Sequence, residues 1–172
     1  RNFSFVWAST TLVTIGNQME MVVLGWFILN LTDSPFLVGA ISAARMSLNI
    51  MALFAVAVAD RVPRHRILAS VEFMMAGFAL VMLYLILSGM LETWHIFALA
   101  MMVGLMGVFQ MPSAQSLVAD TLPEDRIGNG AALNTLGRTV ATLTGPLVGG
   151  ILFKNFGPRG AYTAIAALYF LS

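Results

Sequence analysis

The chain has 172 residues, 59% of them hydrophobic and 10% charged, and nine Lys and Arg against eight Asp and Glu leave a formal net charge of +1. Soluble domains carry roughly 25% charged residues, so this composition, with a mean hydropathy of +0.86, excludes an ordinary soluble globule and reads as an integral membrane protein. The near-neutral balance without an extended basic patch argues against a nucleic-acid partner; with no Cys, and with His65 and His95 far apart, neither a metal site nor a cofactor is indicated.

A bilayer crossing needs about 20 apolar residues at about 1.5 Å rise each, which predicts helices over 5–29, 35–59, 66–89, 94–119 and 129–153. A sixth apolar stretch begins near 160 and is too short to cross before Ser172. Arg1 rather than Met opens the chain, so both ends read as cut and a longer protein is expected. The first stretch is too long for a cleavable signal and reads as an anchor.

On the first span Thr10, Thr14, Asn17 and Gln18 make a polar stripe, with Glu20 at its edge, turned toward a neighbouring helix. On the second, Ser42, Arg45 and Asn49 share a face. Glu20 and Arg45 both lie roughly 15 Å below the outer end of their helices at helical rise, so they are placed to pair. An ionised side chain at mid-bilayer costs roughly 2.5 to 3.5 kcal/mol on insertion scales, so Glu20, Arg45 and Arg138 are all expected to face an interior. Two readings of Glu20 with Arg45 stand: a structural salt bridge that avoids an unpaired buried charge, or a titrating proton or substrate site with Asn17 and Gln18 beside it.

Asp60, Arg61, Arg64 and Arg66 join the second and third spans and, taken alone, make a solvated, topology-setting turn. Glu72, a short way into the third span, is expected to reach interfacial water or to meet Arg138. Asp120, Glu124, Asp125 and Arg126 read as a loop whose acids suit the N-terminus of the fifth helix. In that helix Asn134, Arg138, Thr142, Gly145 and Gly149 recur every three or four residues, one stripe at about 100° per residue, polar above and glycine-rich below. Gly145, Pro146, Gly149 and Gly150 are read as a packing and bending surface or as direct parts of a gate. Trp26, Trp94, Tyr84 and Tyr162 are expected at the outer interface and Trp7 at the inner one. Arg1, Arg61, Arg64, Arg66 and Arg126 against Lys154 and Arg159 favour a cytoplasmic N-terminus by the positive-inside rule.

Pro63-Arg64 and Pro158-Arg159 repeat at one offset, each after the second helix of a three-helix set, which suggests an inverted repeat of about 1–90 and 91–172. The stretch A-V-A-D-R-V-P-R-H-R-I-L, Ala57 to Leu68, resembles the signature loop between the second and third helices of the major facilitator superfamily, with Val56 and Pro63 at the pattern's two glycine positions. T-L-T-G-P-L-V-G-G, Thr142 to Gly150, resembles the fifth-helix motif of exporters in that superfamily, with Ala141 where a leading Gly is usual. The run from Phe109 to Asp125 and the placement of Arg45 look similar to the bacterial efflux branch that includes enterobactin-exporter-like and macrolide-efflux proteins. Asn17 stands where that branch often has an acid, with Glu20 one turn later, and the superfamily's fourth-helix Arg has no counterpart between Trp94 and Ala119.

The resemblance covers nearly the whole chain and implies an all-α membrane bundle over 1–172, the amino-terminal half of a twelve-helix secondary transporter. It implies export of drug-, macrolide- or siderophore-like amphipathic molecules by proton antiport and alternating access, across a bacterial inner (plasma) membrane. The partners it implies are a small-molecule substrate, protons, the bilayer and a carboxy-terminal half. The loop with Asp60, Arg61, Arg64 and Arg66 then becomes a conformational latch. Apart from the resemblance, no G-x-S-x-G, P-loop or H-E-x-x-H pattern occurs, so an enzyme is not expected. The alternative class is a non-transporting scaffold or regulatory half-protein that oligomerises.

Overall fold

The structure is a computed structural model and describes residues 2–51, 63–120 and 127–172. Among these, every regular element is helical: α1 (Asn2–Thr32), α2 (Pro35–Ser47) tightening into a 3-10 turn over Leu48–Met51, α3 (Arg64–Ser88), α4 (Thr93–Asp120) and α5 (Ile127–Leu171). Stretches within α1, α3, α4 and α5 are long and apolar enough to cross a membrane. Hydropathy thus locates these elements to within a few residues. The second predicted span is α-helical only as far as Ser47, and its expected continuation to 59 passes outside the described residues.

Local chemistry sets the ends. Asp33 takes φ 50°, a conformation that Asp tolerates better than most residues, and its N–H donates to the Leu29 carbonyl at 2.8 Å. Ser34 is then extended at the N-cap and Pro35 opens α2, where its missing N–H costs nothing. This reverses the chain in very few residues and makes α1 and α2 neighbours. Gly157 breaks α5 with φ 66° and ψ −168°, a region that essentially only glycine occupies. The break separates a long arm, 127–156, from a second arm, 158–171, which correspond to the predicted fifth and sixth helices. Both Pro-Arg repeats open a helix: Pro63 caps α3 and Pro158 starts the second arm. Pro146 lies within helical backbone of the long arm, and the residue with non-helical φ/ψ inside α5 is Gly157.

Helix α1 is central, packing on the long arm of α5 and on α2 and α4, while α3 lies against α4 and α5. The apolar core joins Val13, Met19 and Val23 of α1 to Met75 and Met82 of α3, Ile96 and Ala100 of α4, and Tyr162 and Ile165 of the second arm. In a bilayer, lipid is as apolar as this core, so close van der Waals packing has to hold the helices together. The α1–α5 contact supplies it through the i, i+4 row Gly137, Ala141, Gly145 and Gly149. A methyl at Gly145 would stand 2.6 Å from Gln18 Cβ and 3.0 Å from the Ile15 carbonyl; one at Gly149 would stand 3.2 Å from Met19 Cα. Gly150 has nothing within 4 Å and takes no part.

The stripe expected on the fifth helix divides along its length into a polar stretch and a glycine stretch. Gly145 and Gly149 meet α1, whereas Asn134, Arg138 and Thr142 look into a cavity. At about 100° per residue all five fall within about 80° of one another, so the change of neighbour comes from position along the helix axis and not from rotation about it. Tyr162 is not the exposed aromatic expected of an interface anchor: it is fully buried, on the inward face of the second arm. Trp26, Tyr84 and Trp94 are exposed, and Trp7 is half-buried with its indole N–H donating to the Leu133 carbonyl at 2.9 Å.

Candidate functional site

A cavity of about 360 Å³ opens between α1, α2, α4 and the long arm of α5. Thr10, Thr14, Asn17 and Gln18 form its α1 wall, Ser42 and Arg45 its α2 wall, Gln110 its α4 wall, and Asn134, Arg138 and Thr142 its α5 wall. Met21, Leu24, Ile41, Met46 and Val103 give it an apolar side. The hydroxyls cost little here because each bonds back to its own helix: Thr14 donates to the Thr10 carbonyl at 2.6 Å, Ser42 to Val38 at 3.0 Å and Thr142 to Arg138 at 2.9 Å. Asn17 donates to Gln110 at 3.2 Å and ties α1 to α4.

Glu20 belongs to the other side of α1. It is 5% exposed and borders a small separate void with Met75, Met82, Leu99, Tyr162 and Tyr169. Arg45 connects the two compartments: it lines the cavity, its stem lies against Gly104, and Nη2 stands 3.9 Å from Glu20 Oε2. The same carboxylate oxygen accepts a hydrogen bond from the Tyr169 hydroxyl at 3.3 Å. Tyr169 reaches it by lying across Gly16, where an added methyl would come within 2.8 Å of the ring. Among the described residues, Arg45 Nη1 and the Tyr162 hydroxyl are buried without a hydrogen-bond partner. The two residues read as equally deep in the sequence are thus an ion pair joining α1 to α2.

Of the sequence candidates, Asn17, Gln18, Arg45, Asn134 and Arg138 share the cavity, while Glu20 touches it only through Arg45. Glu72 does not meet Arg138. It accepts from Ser9 Oγ at 3.2 and 3.4 Å, because its place on α3 faces α1 rather than α5. Arg66 is exposed on the first turn of α3; Asp60 and Arg61 lie outside the described residues, as do the side chains of Arg64 and Asn49. Gln110, Tyr162 and Tyr169 were not singled out as site residues. An amide isolated in an apolar helix marks Gln110, and the seven-residue spacing of the two tyrosines marks one helical face.

A family model described as transmembrane secretion effector matches residues 1–172. The chain is 38% identical over 89 residues to multidrug resistance protein MdtG of Yersinia enterocolitica, covering 50% of this chain and 21% of that protein. It is 38% identical over 98 residues to the protein of the same name from Enterobacter lignolyticus, 55% of this chain and 22% of that one. The Salmonella arizonae protein is 37% identical over 98 residues, 55% and 23%. The matched stretch therefore spans less than a quarter of these relatives. No solved structure matches.

Proposed function

From the premise that this chain belongs to the transmembrane secretion effectors, a family of major facilitator transporters, we infer that it is the amino-terminal half of an exporter of amphipathic small molecules. The observation that carries the reading is the polar cavity among four apolar helices, where Arg45 and Arg138 sit with amides and an apolar wall. Polar groups at such a depth are tolerated where they line water or a ligand path. The relatives named multidrug resistance proteins support a small-molecule cargo.

In this reading the molecule is a multi-pass protein of the bacterial inner membrane with its N-terminus in the cytoplasm. A carboxy-terminal half closes the cavity, and the two halves rock to expose it to each side in turn. Proton antiport drives the cycle. Glu20 gains and loses the proton, and its pairing with Arg45 makes or breaks the link between α1 and α2. Asp60 with Arg61, Arg64 and Arg66 latches one conformation, and the α1–α5 glycine contact keeps the bundle tight while it moves.

Efflux of a dye panel from cells carrying the full-length protein, with and without an uncoupler, tests the reading. Export that stops when the proton gradient collapses supports it; no difference from cells lacking the gene overturns it.

A further inference from the structure

We propose that the cavity selects amphiphiles bearing an anionic headgroup, such as a carboxylate, over equally apolar cations. The inference rests on reading this cavity as the substrate site and names the class of substrate. Its walls carry two cationic side chains, Arg45 and Arg138, from opposite elements α2 and α5, and no carboxylate among the described lining residues. Glu20 and Glu72 are engaged elsewhere. Glu20 lies behind α1 in its own void, and Glu72 is occupied by Ser9.

Arg45 is only partly committed to Glu20, since Nη2 faces the carboxylate at 3.9 Å while buried Nη1 has no hydrogen-bond partner among the described residues. Arg138 makes no ion pair among the described residues. Guanidinium groups present a planar fork of donors that matches a carboxylate or phosphate and cannot be deprotonated at physiological pH. The neighbouring amides Asn17, Gln18 and Asn134 supply further donors, and Met21, Leu24 and Ile41 offer a surface for a hydrocarbon body. A cation entering the same space meets like charge at Arg138, which no ion pair among the described residues offsets, and this is how a site rejects a competitor of equal apolar area.

The test is equilibrium binding to the full-length protein in zwitterionic nanodiscs. The probes are three dansyl compounds with one linker, ending in a carboxylate, a hydroxyl or a trimethylammonium group, each corrected for partition into empty nanodiscs. The carboxylate is expected to bind about tenfold more tightly than the trimethylammonium probe, or about 1.4 kcal/mol. Arg138→Gln is expected to reduce that ratio to below threefold, and Arg138→Lys to keep most of it. Loss of the advantage only when the nanodiscs contain anionic lipid also supports the anion site and identifies a lipid headgroup as its occupant. Equal binding of the probes, tighter binding of the cation, or an unchanged ratio in Arg138→Gln overturns the proposal. Because binding is read without transport, anion preference in a protein that exports nothing sustains this inference while removing the export reading.

Discussion

The Tyr169 hydroxyl and the Glu20 carboxylate meet at 3.3 Å although 149 positions separate them in the chain. With Arg45 on the same oxygen, three helical segments converge on one buried charge. Removing the carboxyl charge therefore affects coupling and packing by separable amounts. Glu20→Gln is expected to abolish export driven by an imposed pH gradient, measured in proteoliposomes of the full-length protein. Tyr169→Phe keeps the ring over Gly16 and loses one hydrogen bond, costing about 1 kcal/mol in thermal unfolding, with transport retained. Full pH-driven activity of Glu20→Gln would contradict the coupling role.

The α1–α5 seam predicts opposite outcomes for neighbouring glycines. Gly145→Ala forces a methyl against Gln18 and the Ile15 carbonyl and is expected to destabilise by about 1–3 kcal/mol. Gly150→Ala meets open space and is expected to be neutral or slightly stabilising, as alanine favours the helix. Thermal denaturation of both variants in one detergent compares them directly, and equal melting points would remove the seam's role.

At the break in α5, Gly157→Ala must either hold a strained backbone or straighten the junction of the two arms. Either outcome costs about 1–3 kcal/mol. A lowered unfolding temperature checks this.

For the loop before α3, Asp60→Asn is expected to slow turnover severalfold while substrate affinity stays nearly intact. Binding and initial efflux rates measured on the same preparation separate the two. A large affinity loss with normal turnover would contradict the latch.

What the sequence made legible follows from the physics of the bilayer. Apolar length located α1, α3, α4 and both arms of α5, and depth counted along two helices paired Glu20 with Arg45. Rotation about each helix axis was harder to read, because lipid-facing and core-facing surfaces are equally apolar and hydropathy does not separate them. That is why Tyr162, aromatic near a helix end, looked like an interface anchor although it is buried. Arg138 and Gly145, seven positions apart, share a face and still meet different neighbours, because they stand at different depths along the helix. Glu72 and Ser9 meet across α3 and α1, a pairing that no spacing within either helix encodes.

Water and substrate are expected to reach the cavity between α1, α2, α4 and α5. Because this chain has no Cys, single cysteines introduced into a full-length protein stripped of any others report access residue by residue. Asn134→Cys on the cavity wall is expected to react with a membrane-impermeant maleimide and to be protected by a transported substrate, while Phe73→Cys on the exposed face of α3 stays unreactive. An unlabelled Asn134→Cys, or equal labelling at both positions with no protection, would contradict the account.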